Sequence, residues 1–594
     1  MEPSVVVLLA GDSGDGIQLL GGQMVRAAAQ SGRDVRTLSD FPAEIRAPQG
    51  TVSGVSGFQF RIAGHAIHDP GALADCFVAF NAAAYAKYAH QLKPGGLLIA
   101  AAEGFDARSL ALAKLPADAD LLAAARTRFR VLELPLKDLT ARALAEVSLG
   151  QRDKMRSRNM LVLGVLTWMY SMPAAAVEAE LRAVFRGDET NLMAFKAGLH
   201  FAETLEVQDY RVTLEQHGAE RGTFRTINGS QAVALGLAAA AHQLARPVLY
   251  SSYPITPASD ILHELAKMQP EHVTVLQAED EIAAVTSALG ASFAGGLGVT
   301  ASSGPGLSLK AEGLGLAVMT ELPLVLIDVQ RGGPSTGLPT KTEQSDLSLA
   351  LHGRHGEAPV PVLAARTAAD AFDAALLAAK IAVECMTPVI LLSDAYLAGS
   401  AQPWRIPDLS ELPRITPPRG TAGGAPYARD AHGVRPWVAP GTPGGAHRIG
   451  GLEGEEGSGR ISYEPANHQA MVRARAAKVA AANRLYGPLE WVQRCPGAET
   501  LVLAWGSTYG AVRSDVERRA AEGQMLDYIH LRHLHPLHAE LKPAVDRYRR
   551  VVVIEMNEGQ LAHHLQGLWA RPVESVCKTT GQPFTSEELA TLWN

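Results

Sequence analysis

Short apolar runs bounded by turn formers alternate with longer alanine-rich stretches along most of the chain, the pattern of strand and helix in turn. Near the start, VVVLLAGDSGDGIQLLGGQMVRAAAQSG reads as a strand, a glycine turn (Gly11, Gly14, Gly16) and a helix. FPAEIRAPQGTVSGVSGFQFRI follows, with Arg46 in a proline-bounded loop before an alternating strand. Residues 1–205 are expected to form one α/β domain, and the polar stretch 206–225, which has no apolar period long enough for a core, a connector. At 226–400 the runs PVLYSSY, VTVLQAED, GVTASS, LPLVLIDV and TPVILLSD alternate with helices, the first opened by Asn228, Gly229 and Ser230 as a cap. Apolar strands between helices argue a doubly wound parallel sheet. Gly and Pro then crowd 401–487 until EPANHQAMVRARAAKVAAANRLYG resumes a helix. Composition suggests a linker there; Tyr427, Trp437 and His447 within it favour an ordered arm. Residues 488–594 return to alternating strand and helix, so the expected fold class is α/β in three domains.

Composition narrows the function classes. With 594 residues and 47% hydrophobic content the chain can bury several cores. A net charge of -7 and a pI near 6.3 give no reason to expect nucleic acid. No apolar stretch approaches membrane-spanning length and MEPSVVVLLAGD carries no basic leader, so no membrane partner and a cytoplasmic location are expected. Cys76, Cys385, Cys495 and Cys577 are scattered, with no CxxC pair, and suggest neither a disulfide framework nor an iron-sulfur centre on this chain. His530, His533, His535 and His538 invite a metal, but strand alternation sets His530 against His533 and His535, and Pro536 turns the chain; no metal site is expected.

Candidate chemistry concentrates between Tyr253 and Ala291. YPITP sets a single hydroxyl, Thr256, between prolines at the end of a strand. QAEDEIAAVTSALG then opens an apolar helix with Glu281, followed by small residues that would let a flat ring approach. As an ordinary helix start, Glu281 would simply meet the dipole; as a desolvated carboxylate, it is an acid or base awaiting a partner. Downstream, RGGPSTGLPTKTEQSDL offers turn formers, hydroxyls and one inner cation, Lys341, whose plainer reading is a solvated loop lysine. Thr256, Glu281, Ser302, Ser303 and Lys341 all follow strand ends, where open parallel sheets collect their ligands. The turn at Ser13, Gly14 and Gly16 can offer amides to phosphate or be purely structural, since Leu19 breaks the GxGxxG fingerprint; GPGLSLK lacks Walker A spacing.

The combination YPITP, EIAA and GPSTGLPTKTEQ resembles the alpha subunit of 2-oxoacid:ferredoxin oxidoreductases, specifically the 2-oxoglutarate type with a gamma domain fused ahead of alpha. The resemblance runs over essentially the whole chain. It implies a gamma domain over a coenzyme A site, with Ser13, Gly14, Gly16 and Arg46 as candidate contacts, although Arg46 can equally be a loop ion pair. It also implies a pyrimidine-type domain at 226–400, a glycine-rich arm crossing a subunit contact, and a transketolase C-terminal-like domain at 488–594. Glu281 would share a proton with the aminopyrimidine of thiamine diphosphate. Ser302 and Ser303 would line that cofactor, Tyr253 and Thr256 the substrate, and Lys341 the distal carboxylate of 2-oxoglutarate.

A piece that thiamine enzymes use to hold the diphosphate through magnesium is missing: GDG occurs at Gly14 to Gly16, but no asparagine follows it closely, the first being Asn81. The chain therefore reads as half an active site. A beta subunit would supply the diphosphate site, magnesium (Mg2+) and a four-iron four-sulfur (4Fe-4S) cluster, in an alpha2beta2 assembly. The implied reaction decarboxylates 2-oxoglutarate, passes two electrons singly to ferredoxin and delivers the succinyl group to coenzyme A. A pyruvate or branched-chain oxoacid enzyme would share these motifs with a neutral distal pocket. A transketolase-type transferase or a non-enzymatic scaffold are the rival classes.

Overall fold

The computed structural model describes residues 4–42, 47–186, 188–204, 210–216, 222–419 and 425–593. Secondary structure alternates between strand and helix, and the chain falls into two compact units: residues 1–226 with 400–406, and residues 227–399 with 407–594.

In the first unit a six-stranded mixed sheet runs in the order Asp34–Asp40, Val55–Ala63, Ser4–Asp12, Ala74–Ala79, Leu92–Ala101, Arg130–Leu134. The strand Ser4–Asp12 pairs antiparallel with Val55–Ala63 and parallel with Ala74–Ala79. Its run VVVLLA is buried throughout because helices cover both faces, so each side chain of the alternation meets a core. The helix Arg158–Met169 is buried nearly all round against Glu189–Thr204. Glycine permits that approach: a Cβ on Gly198 would lie 1.9 Å from the Leu161 carbonyl oxygen.

The second unit holds a seven-stranded sheet ordered His533–His535, Val362–Ala364, Pro388–Asp394, Leu324–Gln330, Leu297–Ser302, Val248–Ser252, Val273–Gln277. All pairings are parallel except at the edge, where His533–His535 runs antiparallel to Val362–Ala364. A second, four-stranded parallel sheet runs Leu526–Leu531, Thr500–Trp505, Arg550–Glu555, Glu574–Cys577. One apolar cluster joins the two sheets: Leu326 and Leu392 of the larger share it with Leu503, Leu531 and Leu565. Among the described residues no helix is long and apolar enough to cross a membrane.

The Gly/Pro-rich stretch has few regular elements but is firmly packed. Trp437 is buried and its Nε1 donates to the Ser292 carbonyl at 3.0 Å, while Arg435, wholly buried, donates to the Thr320 carbonyl and lies over the Tyr427 ring. The strongest anchor is Glu321, which caps the helix Ala311–Thr320 with φ 50° and receives both Arg429, as a bidentate pair at 2.6 and 2.7 Å, and Lys478 at 2.6 Å. Burial pushes the Glu321 carboxyl up, but Lys478 and Arg429 outweigh it and hold it down to about 2. Lys478 is pushed down by its own burial, helped by the Arg429 and Arg435 guanidiniums and opposed by Glu321; one carboxylate serves three cations.

Removing Glu321 strands those cations away from water. Glu321→Gln is expected to cost about 3 to 5 kcal/mol in chemical denaturation. Because its carboxyl is held below the ordinary value, the wild-type contribution is complete above about pH 4.5 and drains away as pH falls toward about 2. A denaturation midpoint for Glu321→Gln within error of wild type at pH 7 would contradict this.

Candidate active site

The carboxyl ends of the parallel strands gather the polar groups of the second unit. The strand Val248–Ser252 delivers Tyr253 and Thr256, both exposed, into a loop whose Thr256–Pro257 peptide is cis. The helix Glu281–Phe293 begins just after Val273–Gln277. Its cap is Asp280, whose Oδ1 accepts the Ala283 amide at 2.7 Å. Glu281 is therefore not needed for capping: it is 8% exposed, and among the described residues no hydrogen bond engages its carboxylate.

Ser302 ends the strand Leu297–Ser302, and Ser303 opens the helix Gly304–Leu309. Both are fully buried, with hydroxyls that meet no partner. A buried hydroxyl left unpaired costs free energy, so this pair marks a place where a ligand can supply hydrogen bonds. The seam exists because Gly306 has no side chain: a Cβ there would sit 1.9 Å from Ser302 Oγ and 2.9 Å from Glu281 Cγ. The structure thus brings Glu281 and Ser302 together.

Glu281 also meets Lys310, wholly buried at the junction of the helices Gly304–Leu309 and Ala311–Thr320. Its Nζ donates to the Glu281 main-chain oxygen at 3.1 Å. Burial pushes the ammonium down to about 8 against the pull of the Glu281 and Asp280 carboxylates.

Thr256 meets a residue that sequence reasoning missed. Arg331, buried at the end of the strand Leu324–Gln330, donates Nη1 to the Thr256 carbonyl at 2.6 Å. Its place directly after a strand was the available signal. Next to it Asp328 and Asp346 are buried carboxyls: burial raises both, Asp328 well above its usual range with the Asp346 charge adding to it, and Asp346 to about 6. Gly304 makes room, since a Cβ there would meet Asp346 Oδ1 at 2.5 Å.

Lys341 is half-buried further along the same loop, where its backbone closes a turn with Gly332 and Leu338, and Gly581 packs beneath it. Gln344 ties that loop to the four-stranded sheet. Its amide donates to the Trp505 carbonyl at 2.6 Å and accepts the Met556 amide at 2.7 Å. Gly506, with φ 60°, leaves space for it.

In the first unit the turn after Ser4–Asp12 leaves Ser13 and Gly14 exposed, and Gly16, with φ 72°, starts the helix Ile17–Gln30 without a side-chain cap. Asp12 accepts the Gly50 amide at 3.0 Å, and Asp15 is ion-paired to Arg158. Arg46 lies outside the described residues. Of the C-terminal histidines, His530 is buried between the Tyr528 hydroxyl and the Gly506 carbonyl, and His533 stacks on Tyr486.

Comparison with known proteins supplies the family. Residues 240–462 match the model described as pyruvate flavodoxin/ferredoxin oxidoreductase, thiamine diphosphate-binding, and residues 6–201 that of pyruvate ferredoxin/flavodoxin oxidoreductase. The 2-oxoglutarate oxidoreductase subunit KorA of Mycobacterium tuberculosis is 45% identical over 99% of this chain and 90% of its own length. The chain belongs to the 2-oxoacid:ferredoxin oxidoreductases. A second member, the 2-oxoacid:ferredoxin oxidoreductase 1 alpha subunit of Aeropyrum pernix, is 31% identical over 78% of this chain and 74% of its own. Among solved structures, the 2-oxoglutarate:ferredoxin oxidoreductase of Magnetococcus marinus, with 2-oxoglutarate, coenzyme A and succinyl-CoA bound, superposes with a TM-score of 0.86. It is 31% identical over 99% of this chain and 98% of that one. For this 2-oxoacid:ferredoxin oxidoreductase chain, membership makes it an oxidoreductase and accounts for a thiamine diphosphate-binding region that holds Glu281, Ser302 and Ser303.

Filling the seam should close the site. In an exposed helix Gly→Ala gains about 1 kcal/mol, but a Cβ 1.9 Å from Ser302 Oγ reverses the sign. Gly306→Ala is expected to destabilise by about 1 to 3 kcal/mol in denaturant titration and to abolish thiamine diphosphate binding in calorimetry. Undiminished binding would show that the seam is not the site.

Proposed function

We propose that the chain is the alpha subunit, with a gamma-type domain fused at residues 1–205, of a thiamine diphosphate-dependent 2-oxoglutarate:ferredoxin oxidoreductase. In its oxidative direction 2-oxoglutarate, coenzyme A and two oxidised ferredoxins give succinyl-CoA, carbon dioxide, a proton and two reduced ferredoxins. The observation that carries the reading is the unengaged, buried Glu281 carboxylate beside the unpartnered hydroxyls of Ser302 and Ser303. That donor set suits a polar aromatic ring with one basic nitrogen. The names of the similar proteins support the substrate.

When bound, thiamine diphosphate supplies a carbon nucleophile for the keto group and an electron sink once carbon dioxide leaves. This chain's residues serve that chemistry. Glu281 holds and returns a proton at the ring nitrogen, and Ser302 and Ser303 orient the ring. Thr256 and Tyr253 hold the carboxylate and keto group of the substrate, with Arg331, bonded to the Thr256 carbonyl, as a cation at the same end. Lys341 takes the distal carboxylate. Ser13, Gly14, Gly16 and Arg46 belong to the coenzyme A contacts.

The diphosphate site, Mg2+ and the 4Fe-4S cluster are assigned to a beta subunit in an alpha2beta2 enzyme acting in the cytoplasm. Dispersal supports the last step of that assignment: Cys76 and Cys385 are buried, and Cys495 and Cys577 lie on other segments. The segments 226–400, 401–487 and 488–594 remain our division of the chain beyond the connector into a pyrimidine-type domain, an arm and a transketolase C-terminal-like domain, although residues 400–406 pack with the first unit.

The test is thiamine- and coenzyme A-dependent reduction of a low-potential dye by the co-purified complex, with 2-oxoglutarate and pyruvate side by side. Reduction with 2-oxoglutarate is expected; a preference for pyruvate keeps the family and discards the substrate. Glu281→Gln should lose about 2 to 4 kcal/mol of barrier lowering, read as kcat/KM. Lys341→Met should weaken 2-oxoglutarate by about 2 kcal/mol, mainly in KM. Unchanged turnover in Glu281→Gln sinks the role given to that carboxylate.

A further inference from the structure

We propose that Lys310 is a positioning residue for Glu281: its buried ammonium fixes the main chain at the start of the helix Glu281–Phe293 and balances the charge that the carboxylate brings into the site. The proposal rests on the reading of Glu281 given above.

Lys310 is a lone cation in GPGLSLKAEGLGLAVM, a stretch otherwise suited to apolar packing, and it is wholly buried. Methionine or leucine would fill the same volume without desolvating a charge, and such replacements are often neutral or stabilising. Backbone electrostatics make the placement costlier still. The ammonium faces the N-terminal end of a helix, where the dipole is positive and favours anions. Stability alone therefore gives no reason for a lysine here.

The site does give one. The charges acting on the ammonium are the carboxylates of Glu281 and Asp280, both at the same helix end. Asp280 already caps the helix through Ala283. The other titratable groups on the surrounding elements are the Asp328–Asp346 pair and Arg331 beyond Gly304, and the exposed Glu312 on the next helix. Lys310 spends its one described hydrogen bond on the Glu281 main-chain oxygen, not on the carboxylate. The side chain is thus anchored at its base, with a counter-charge behind it, while its oxygens stay available to a ligand.

The sign of the titration follows. Burial lowers Lys310 to about 8 from the ordinary lysine value, so the native state binds this proton more weakly than the unfolded chain. The stability cost is complete below about pH 8 and is relieved as pH rises from there toward the unfolded value near 10.5. As pH rises through about 8 the counter-charge is progressively lost and function should decline.

The experiment uses the assembled enzyme with wild type, Lys310→Met, Lys310→Arg, Glu281→Gln and the Lys310→Met/Glu281→Gln double variant. Three quantities are followed across pH: dye reduction with 2-oxoglutarate, thiamine diphosphate affinity of the cofactor-stripped complex by calorimetry, and thermal midpoint. Lys310→Met is expected to lose turnover by roughly tenfold to a hundredfold, to lack the decline above about pH 8 expected of wild type in turnover and affinity, and to melt no lower than wild type at pH 7. Lys310→Arg should keep its charge through that range and lose the decline also. The double variant should be no worse than Glu281→Gln alone, because Lys310 acts through Glu281. Wild-type turnover and pH profile in Lys310→Met overturn the proposal while leaving Glu281 in place. Additive losses with a lowered melting point overturn it in favour of a packing role. Full turnover in Glu281→Gln removes the reading on which it rests.

Discussion

Charge held away from water at one end of a parallel sheet is the constraint around which the second unit is organised. Strands buried on both faces can be written almost wholly in Val, Leu, Ile and Ala, but their carboxyl ends must turn polar to bind anything. Here those ends carry Glu281, Lys310, Asp328, Arg331 and Asp346, all buried or nearly so. None is tolerable alone. Each is offset by a neighbour of opposite charge, a main-chain oxygen or, for the two aspartates, a shift toward the neutral acid, and the small residues Gly304 and Gly306 leave room for these groups to approach.

Support for this arrangement comes from far along the chain. The loop that leads from Arg331 through Lys341 is stiffened by Gln344, whose amide is spent on the backbone of Trp505 and Met556, and by Gln560, which reaches the Ser345 carbonyl. The four-stranded sheet thereby sets the position of a loop rooted in the seven-stranded one, and the shared core of Leu326, Leu392, Leu503 and Leu531 keeps the two in register. Remote packing of this kind is how a site retains a geometry that its own residues would not hold.

Periodicity made much of this legible. The capping box of Asn228 and Gln231, the helix start at Glu281 and the strand ends at Ser252 and Ser302 lie where apolar runs and cap residues put them. Ser302 and Ser303 could be named because parallel sheets bind at those ends. Arg331, directly after its own strand, carried the same signal and was passed over, whereas Lys310 carried none. A lysine after GLSL reads as a failed phosphate loop until the neighbouring helix is seen to turn its first residue toward it, and that contact is tertiary. The arm from residue 407 onward was still less readable: its order comes from Trp437, Arg435 and Arg429 finding acceptors on helices a hundred residues away, and no local period encodes such partners.

The antiparallel edge strand His533–His535 has a consequence for how the chain is made. Val362–Ala364 would otherwise present an open row of amides and carbonyls, the kind of edge that pairs with other chains. Its cover lies roughly 170 residues later in the sequence. At ordinary rates of synthesis, ~5–20 residues per second, that edge stays open for roughly 10 to 30 s on every nascent chain. During that interval this edge is open to strand pairing with other chains.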